Sequence, residues 1–292
     1  MSRLLQTIDV AVGTRLRWPF TRNKRKLARD ARNKVVRLGP TFVKIGQYIS
    51  TRSDIFPEEI IEEFTTLQDN VADMEWQQVK SILIDEKIPV SDVEHKPLAS
   101  ASLGQVHRAS YNGKNSVVKV LRPGIVEQIE DDVQNLSVIA NAFKVVNPTG
   151  SQDIVVFVNE LENMLKMETD YNKEATNTQL FRKNFEDVDW VIVPDVYYHT
   201  SNVLVMEYVS STKITEATGY DPESLAYAVT KAQIMQVLRS GFFHGDPHPG
   251  NVGIHRGRLV YYDFGMVSEI SPTQKKTLLA LLIAITNENE DQ

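Results

Sequence analysis

The sequence predicts an α+β protein with two lobes, a small antiparallel sheet in the first and mostly helices in the second. Short runs rich in β-branched and aromatic residues lie within 93–121 and 191–209, separated by turn residues. Longer segments near 123–146, 152–184 and 223–240 carry apolar residues at helical spacing. Because these helices interrupt and follow the strand-like runs, we expect a sheet with inserted helices and then a helical lobe.

The composition is that of a folded globular protein. The 292 residues are 42% apolar and 24% charged, and they include no cysteine. The absence of cysteine excludes disulfides, thiolate metal sites, iron–sulfur clusters and cysteine nucleophiles within this chain. No apolar run approaches the roughly 20 residues that a membrane-spanning helix needs. The longest run, LLALLIAI at 278–285, is expected to form a buried helix.

Residues 1–37 form a predicted basic helical segment. They contain 11 Lys and Arg residues against two Asp, whereas the remainder is acidic. Apolar residues at helical spacing suit an amphipathic helix on an anionic membrane surface, and a solvated basic helix is the alternative. An Arg-rich start also resembles an organelle transit peptide. We expect an intracellular protein with peripheral membrane association, in an organelle (mitochondrion or plastid) or a bacterial cytoplasm.

Residues 38–92 are predicted to be a helical extension of that segment. Gly39-Pro40 and Pro57 interrupt the helical pattern, and Pro57 suits the first turn of a helix. The remaining chain is assigned to a sheet-containing lobe with inserted helices, residues 93–210, and a partial helical lobe, residues 211–292.

A β-hairpin is predicted over residues 105–121. The runs QVHRASY and SVVKVL flank NGKN, whose Asn-Gly pair is a turn signal between strands. The run VEHKPLA at 93–99 predicts a further strand.

The stretch HGDPHPGN at 244–251 predicts a phosphoryl-transfer loop. Asp246 is followed five residues later by Asn251, which is the kinase spacing between the carboxylate that orients the acceptor and the amide that holds metal. Asp263, in Asp263-Phe264-Gly265, then supplies a Mg²⁺ ligand. The two motifs in this order predict kinase-like chemistry. A histidine-rich metal cage is the alternative, and distant ligands for it are not evident.

Other parts of a kinase-like site occur upstream. Lys119 lies near the end of the predicted hairpin, where a kinase lysine reaches the α- and β-phosphates. Glu174, on a long helix, is its expected ion-pair partner. The backbone of Glu207 and Val209, after an apolar strand, is expected to hydrogen-bond adenine.

An alanine-rich stretch stands where kinases have a glycine-rich phosphate loop. The motif G-x-G-x-x-G-x-V appears as ASASLGQV at 99–106, so alanines occupy the first two glycine positions. Alanine has a steric cost at positive φ, and its methyl group would crowd phosphate oxygens. We therefore expect the nucleotide to bind in an altered pose. The expected contacts are Ala99, Ser100, Ala101, Ser102, Gly104 and Val106.

Four motifs together resemble a known family. Lys44-Ile45-Gly46-Gln47 reads K-x-G-Q and Glu168-Thr169-Asp170 reads E-x-D, beside the alanine-rich stretch and HGDPHPGN with D-F-G. From about Leu38 onward, the chain is similar to the UbiB/AarF family of atypical kinase-like ATPases, which includes the mitochondrial ADCK proteins. The resemblance implies a protein-kinase-like fold with the K-x-G-Q helices over its cleft. It also implies that Lys44 and Gln47 point toward the nucleotide, with Lys44 near Glu168.

The same resemblance implies ligands and a role. ATP and Mg²⁺ are the implied ligands, and the implied role is isoprenoid-quinone synthesis or lipid homeostasis at a membrane, without protein phosphorylation. The implied partners are an anionic membrane surface and lipid or quinone-pathway proteins, and not nucleic acid. Because 27 residues follow Asp263-Phe264-Gly265 and family members continue with further helices, a fragment or truncated paralogue is expected.

Two other functions stay open on the sequence. A small-molecule phosphotransferase of the aminoglycoside or choline kinase type shares the H-G-D-x-H-x-x-N loop. A nucleotide-binding scaffold without chemistry would fit the alanine-rich stretch.

Overall fold

The computed structural model describes residues 2–69, 72–146 and 152–290. The chain divides into two compact units, which are described separately. Unit 1 comprises Met1–Ile88, Glu94–His107 and Lys119–Thr169, and unit 2 comprises Pro89–Val93, Arg108–Val118 and Asp170–Gln292. The domain boundaries predicted after residues 37, 92 and 210 stay predictions.

Unit 1 is built mainly from helices. They are α1 (Arg3–Arg17), α2 (Lys24–Leu38), α3 (Pro40–Ile49), α4 (Glu58–Thr65), α5 (Trp76–Asp85), α6 (Ile125–Val146) and α7 (Gln152–Glu168). Gly39 adopts a φ of +97°, which ends α2 and lets Pro40 start α3 in its first turn. Pro57 is the N-cap of α4, one position earlier than predicted. The buried residues of α2 recur at helical spacing and pack into the core of the unit.

One antiparallel sheet contains most of the early strands. The first six strands along the chain are β1 (Ala99–Ser100), β2 (Gly104–Tyr111), β3 (Lys114–Leu121), β4 (Val191–Ile192), β5 (Val196–His199) and β6 (Val203–Glu207). All except β4 lie in a sheet of order β1-β2-β3-β6-β5. Asn112 and Gly113 have φ values of +50° and +77°, the signs that a two-residue hairpin turn requires. The predicted hairpin is confirmed.

Unit 2 combines further strands with three helices. They are β7 (Thr212–Lys213), β8 (Phe242–His244), β9 (Val252–His255), β10 (Arg258–Tyr261), β11 (Val267–Glu269), α8 (Tyr171–Asn184), α9 (Pro222–Met235) and α10 (Pro272–Glu290). A second sheet has the order β4-β10-β9-β7, and β8 pairs with β11. A π-helical turn, Gln236–Ser240, continues α9. The core of this unit includes Phe181, Tyr261 and Phe264. The predicted α+β class is confirmed.

Three predicted elements differ from the structure. The single helix expected over 152–184 is two helices, because Asp170 accepts a hydrogen bond from the backbone N–H of Lys173 and caps a new helix there. The strand expected from VEHKPLA forms only at Ala99, since the backbone of 93–98 bends and Pro97 has no N–H for a strand ladder.

The third difference concerns the apolar run at 278–285. It is helical, as part of α10, but Leu281 and Ile283 are 55% and 51% exposed, so the prediction of burial is wrong. Among the residues that the structure describes, no helix is both long enough and apolar enough to cross a membrane.

Candidate active site

The predicted catalytic carboxylate and amide contact each other in unit 2. Asp246 follows β8, and Asn251 ends a short 3-10 turn that leads into β9. The side-chain amide Nδ2 of Asn251 donates to Oδ2 and to the backbone oxygen of Asp246, each at 3.2 Å. Since Nδ2 is used in this way, Oδ1 of Asn251 remains as an oxygen donor for a cation. The five-residue spacing therefore produces a carboxylate with one oxygen fixed by the amide.

His244 ties this loop to the D-F-G segment. Its ring is almost fully buried, at 1% exposed, and Nε2 donates to the backbone oxygen of Asp263 at 2.5 Å. The backbone N–H of Asp246 donates to Nδ1 at 3.1 Å. A ring nitrogen that accepts a hydrogen bond carries no proton, so these two bonds define the neutral Nε2–H tautomer. His244 positions the backbone on both sides of the candidate metal ligands.

Two glutamines of the α9 region hold His244 in turn. Oε1 of Gln236 accepts from the backbone N–H of His244 at 2.9 Å, and Nε2 of Gln233 donates to its backbone oxygen at 2.8 Å. Gln236 is buried, and its Nε2 also donates to the hydroxyl of Tyr261 at 3.4 Å. Burial raises the pKa of Tyr261 to about 12. Neither glutamine was predicted from the sequence, where their signal is two polar residues three apart on the helix before the motif.

The D-F-G segment is held by α8. Asn177 donates to the backbone oxygen of Phe264 at 2.9 Å, and Glu174 accepts from its backbone N–H at 3.4 Å. The Phe264 ring is fully buried, with its centroid 5.0 Å from that of Phe181. The backbone N–H of Gly265 donates to Oδ1 of Asp263 at 2.9 Å. Glu174 therefore contacts the D-F-G backbone, and its predicted pairing with Lys119, which lies in unit 1, stays a prediction.

The predicted hinge begins at Glu207, the last residue of β6, in unit 2. The backbone N–H of Glu207 donates to the oxygen of Asp195 at 2.7 Å, and the backbone oxygen of Val209 accepts from Ser211 Oγ at 3.0 Å. One backbone group of each predicted adenine contact is thus already used within the protein. Adenine recognition by these residues stays a prediction.

In unit 1, the K-x-G-Q helix α3 contacts the alanine-rich stretch. Ser102 Oγ donates to Oε1 of Gln47 at 3.2 Å, and Nε2 of Gln47 donates to the backbone oxygen of Leu67 at 3.0 Å. Lys44 forms an ion pair with Glu168 at 2.5 Å, so the expected proximity of these two residues is observed. Their roles toward a nucleotide stay predictions.

The glycine of K-x-G-Q has a packing role. A Cβ added to Gly46 would lie 2.4 Å from Cδ1 of Leu67, 3.2 Å from Phe64 and 3.3 Å from Val35. All three neighbours are core side chains, and distances this short require them to move. Gly46 therefore lets α3 pack closely against the segment that accepts the hydrogen bond from Gln47.

The alanine-rich stretch differs from expectation in its backbone. Ala99 pairs with Val106 between β1 and β2, and Ala101 donates its N–H to the oxygen of Gly104 at 2.9 Å. Among the described residues, positive φ occurs at neither alanine, so the steric penalty expected for them does not arise. Lys119 lies on the adjacent strand β3 and is partly buried. Arg122, just beyond β3, contacts the stretch, and this contact was not predicted from the sequence.

The candidate metal site has a simple donor set. Among the described residues there is no group of three or more His, Asp or Glu side chains that could hold a metal ion, so the histidine-rich cage has no support. The predicted ligands Asp263 and Asn251 provide a carboxylate and an amide oxygen. Mg²⁺ is usually held by one or two carboxylates together with waters and substrate phosphates, so this oxygen set fits Mg²⁺ bound with a nucleotide.

In this site a carboxylate is hydrogen-bonded to an amide and is connected through a histidine to a D-F-G segment. The fold combines a small antiparallel sheet with helices. These features together define an atypical kinase-like protein. Residues 66–292 match the model of the ABC1 atypical kinase-like domain, and the chain belongs to that family. The resemblance to the UbiB/AarF family is confirmed.

Two similar relatives come from Arabidopsis thaliana. Protein Activity of BC1 Complex Kinase 8, chloroplastic, is 39% identical over 288 residues, covering 92% of this chain and 38% of the relative. Protein Activity of BC1 Complex Kinase 7, chloroplastic, is 41% identical over 285 residues, covering 91% of this chain and 41% of the relative. The chain therefore spans about two fifths of the length of these relatives.

A solved structure is also similar. The Rv3197–erythromycin complex from Mycobacterium tuberculosis matches with a TM-score of 0.61 and 27% identity, over 77% of this chain and 60% of that one.

Proposed function

We propose that the chain binds ATP with Mg²⁺ and acts as an atypical kinase-like ATPase or phosphotransferase that supports isoprenoid-quinone or lipid metabolism at a membrane. The observation that carries this proposal is the arrangement of Asp246, Asn251 and Asp263, whose backbone and side chains are joined through His244 in unit 2. Membership in the ABC1 family favours it over an aminoglycoside-type or choline-type kinase.

The carboxylate of Asp246 has the geometry of an orienting base. Asn251 donates to Oδ2 of Asp246, which leaves Oδ1 to accept the proton of an attacking water or hydroxyl. The attacking oxygen forms a bond to the γ-phosphorus of ATP, and the bond from that phosphorus to the β–γ bridging oxygen breaks. ADP leaves, and the products are phosphate or a phosphorylated acceptor. Mg²⁺ held by Asp263 and Asn251 would neutralise charge on the phosphate oxygens.

Unit 1 supplies the proposed phosphate contacts. Lys119 would hold the α- and β-phosphates, together with the alanine-rich stretch. Lys44, Gln47 and Glu168 would line the approach to it, since Gln47 is bonded to Ser102. The presence of Lys119 together with Asp246, Asn251 and Asp263 in one sequence argues against a scaffold without chemistry.

Thermal unfolding with and without Mg-ATP tests nucleotide binding. The wild-type chain is expected to be stabilised by about 2.7 kcal/mol at 100 times the Kd, with most of the effect lost in EDTA. Asp263→Asn keeps an oxygen for the Gly265 N–H but removes the charge, so its metal-dependent stabilisation should disappear. Asp189→Asn, the same change at an exposed position of unit 2, is the matched control. Absence of any shift in the wild type would overturn the proposal.

The membrane part of the proposal rests on the N-terminal helices. Leu16 and Phe20 are 64% and 89% exposed beside the Lys and Arg residues of α1 and α2. Apolar groups among basic ones suit an anionic surface. We propose peripheral association with such a surface, in a plastid among the compartments considered, since both Arabidopsis relatives are named chloroplastic.

Vesicle sedimentation tests the membrane contact. The chain is expected to sediment with vesicles containing phosphatidylglycerol and not with phosphatidylcholine alone, and Leu16→Gln with Phe20→Gln should weaken this. If the sedimented fraction depended neither on the charge of the lipid nor on these substitutions, the proposal would be contradicted.

A further inference from the structure

Arg122 holds three consecutive carbonyl groups of the alanine-rich stretch. Its Nε donates to the oxygen of Ser102 at 2.9 Å, and one terminal nitrogen donates to the oxygen of Ala101 at 3.1 Å. Its own backbone N–H donates to the oxygen of Leu103 at 2.9 Å. The same terminal nitrogen reaches the oxygen of Ala72 at 2.7 Å. The guanidinium therefore fixes the orientation of the peptide groups between residues 101 and 103.

These bonds determine where the amide hydrogens of the stretch point. In a planar trans peptide group, the C=O and the following N–H point in opposite directions. Because the oxygens of Ala101 and Ser102 point toward Arg122, the N–H groups of Ser102 and Leu103 point away from it. The conformation of the backbone thus presents two successive donors on the side opposite the guanidinium.

The two donors lack acceptors within the protein. Across the part of the chain that the structure describes, neither the Ser102 nor the Leu103 N–H donates a hydrogen bond. The two residues are only 3% and 4% exposed. Buried backbone N–H groups without partners are rare, and successive N–H groups that converge are typical of anion-binding sites. The pair therefore points to an anionic ligand.

The charge at this position is also positive. Within the described residues, the hydrogen-bond partners of the Arg122 side chain are backbone carbonyls and not carboxylates. Burial lowers the pKa of Arg122, and nearby Asp73 opposes that effect. Even lowered, an arginine stays charged at neutral pH. The guanidinium charge therefore favours an anion at this stretch, while the carboxylate of Asp73, which accepts a hydrogen bond from Ser100, partly offsets it.

We propose that Arg122 is a positioning residue for the nucleotide phosphates, which rests on the ATP binding proposed above. It orients the N–H groups of Ser102 and Leu103 to donate to phosphate oxygens. A glycine-rich loop reaches such an orientation through conformational freedom. Here a side chain fixes it, so alanines at positions 99 and 101 are tolerated without positive φ.

Comparison of ATP, ADP and adenosine affinities tests this role by calorimetry on the whole chain. Arg122→Gln should lower the affinities for ATP and ADP about tenfold, because the two amides would no longer be held in the orientation that donates to charged phosphate oxygens. Adenosine affinity should not change, since adenosine has no phosphate. Arg122→Lys keeps the charge but cannot hold several carbonyls in one plane, so it should show the same loss. Arg182→Gln is the matched control, since Arg182 also donates to a backbone carbonyl, that of Val193.

The possible outcomes distinguish the positioning role of Arg122 from the proposed ATP binding. An unchanged ratio of ATP to adenosine affinity in Arg122→Gln, or full recovery of ATP affinity in Arg122→Lys, would overturn the positioning role alone. No ATP binding by the wild type would overturn both this role and the proposed function.

Hydrogen exchange in the wild type adds a readout that needs no variant. Mg-ADP should protect the amides of Ser102 and Leu103 against exchange, and adenosine should not. If bound Mg-ADP left both amides unprotected, the positioning role would be wrong even if the variants failed to fold.

Discussion

The two units hold their predicted site residues with side chains of different charge. In unit 1, the cationic Arg122 fixes the carbonyls of Ala101 and Ser102. In unit 2, the neutral Gln236 and the neutral tautomer of His244 fix the backbone around Asp246 and Asp263. A guanidinium favours nearby phosphate, whereas beside metal ligands it would repel the metal. The difference therefore matches the proposal that unit 1 contacts phosphates and unit 2 contacts Mg²⁺.

The units also differ in what surrounds their tightest glycines. A Cβ on Gly46 would meet three side chains of unit 1, which can shift. A Cβ on Gly253 in β9 would lie 1.7 Å from the hydroxyl of Tyr262 and 2.9 Å from the backbone oxygen of Thr212. Since Tyr262 directly precedes Asp263, the unit 2 contact is coupled to a candidate metal ligand.

The largest expected effect is that of Gly253→Ala. It should lower the free energy of unfolding by about 3 kcal/mol, at the upper end of the usual cost of overpacking, because the backbone at Thr212 cannot move freely. It should also reduce the stabilisation by Mg-ATP, since displacement of Tyr262 moves Asp263. Urea unfolding and thermal shift measure the two quantities.

Gly46→Ala and Gly257→Ala are the comparisons for that prediction. Gly46→Ala should cost less, since only side chains must shift and alanine has the higher helix propensity by about 1 kcal/mol. Gly257 has a φ of +79° and open space around it, so its substitution reports backbone strain alone. A cost at Gly253 no greater than at these two positions would contradict the proposed difference between the units.

Gln236→Leu is expected to have an intermediate effect. It leaves the buried backbone N–H of His244 without its acceptor, which costs about 2 kcal/mol. Because His244 then loses its fixed position, Mg-dependent ATP binding should weaken while adenosine binding is retained. The exposed Gln179→Leu on α8 is the control for the same chemical change. Equal loss of adenosine and ATP binding would show general damage to the unit instead.

The smallest expected effect is the contribution of Tyr261 to stability at alkaline pH. Burial raises its pKa to about 12 in the folded chain, from an ordinary value of 10.0. A raised pKa contributes stability that is present below pH 10 and lost as the pH rises toward 12. Between pH 9 and pH 11, the stability of the wild type should fall by about 1 kcal/mol relative to Tyr261→Phe. An unchanged difference across this range would contradict the burial argument.

The contact within the unit 2 loop could be predicted from the sequence, because it depends on local spacing. Asp246 and Asn251 are five residues apart and contact each other as that spacing indicates. The hairpin was predicted from its Asn-Gly turn for the same reason. The contacts of Arg122, Gln233 and Gln236 depend on residues up to 50 positions away, and no local pattern indicates them.

The predictions were wrong where the burial of a helix, its end point or the backbone conformation depends on more than the local apolar pattern. The apolar run in α10 was expected to be buried from composition alone, but Leu281 and Ile283 are 55% and 51% exposed. The helix over 152–184 was read as continuous because its apolar spacing continues, whereas the capping side chain of Asp170 restarts the helix. Ala99 and Ala101 were expected to be sterically unfavourable, because kinase loops have glycines with positive φ at the equivalent positions. Neither alanine has a positive φ.

Calorimetric titration of ATP, in Mg²⁺ and in EDTA, tests most directly whether the two units contact opposite charges. Asp263→Asn should remove the gain in affinity that Mg²⁺ provides and leave the affinity in EDTA unchanged. Arg122→Gln should lower the affinity about tenfold in both conditions and leave the Mg²⁺ gain intact. If both variants changed the affinity in the same way in Mg²⁺ and in EDTA, the assignment of phosphate to unit 1 and metal to unit 2 would be contradicted.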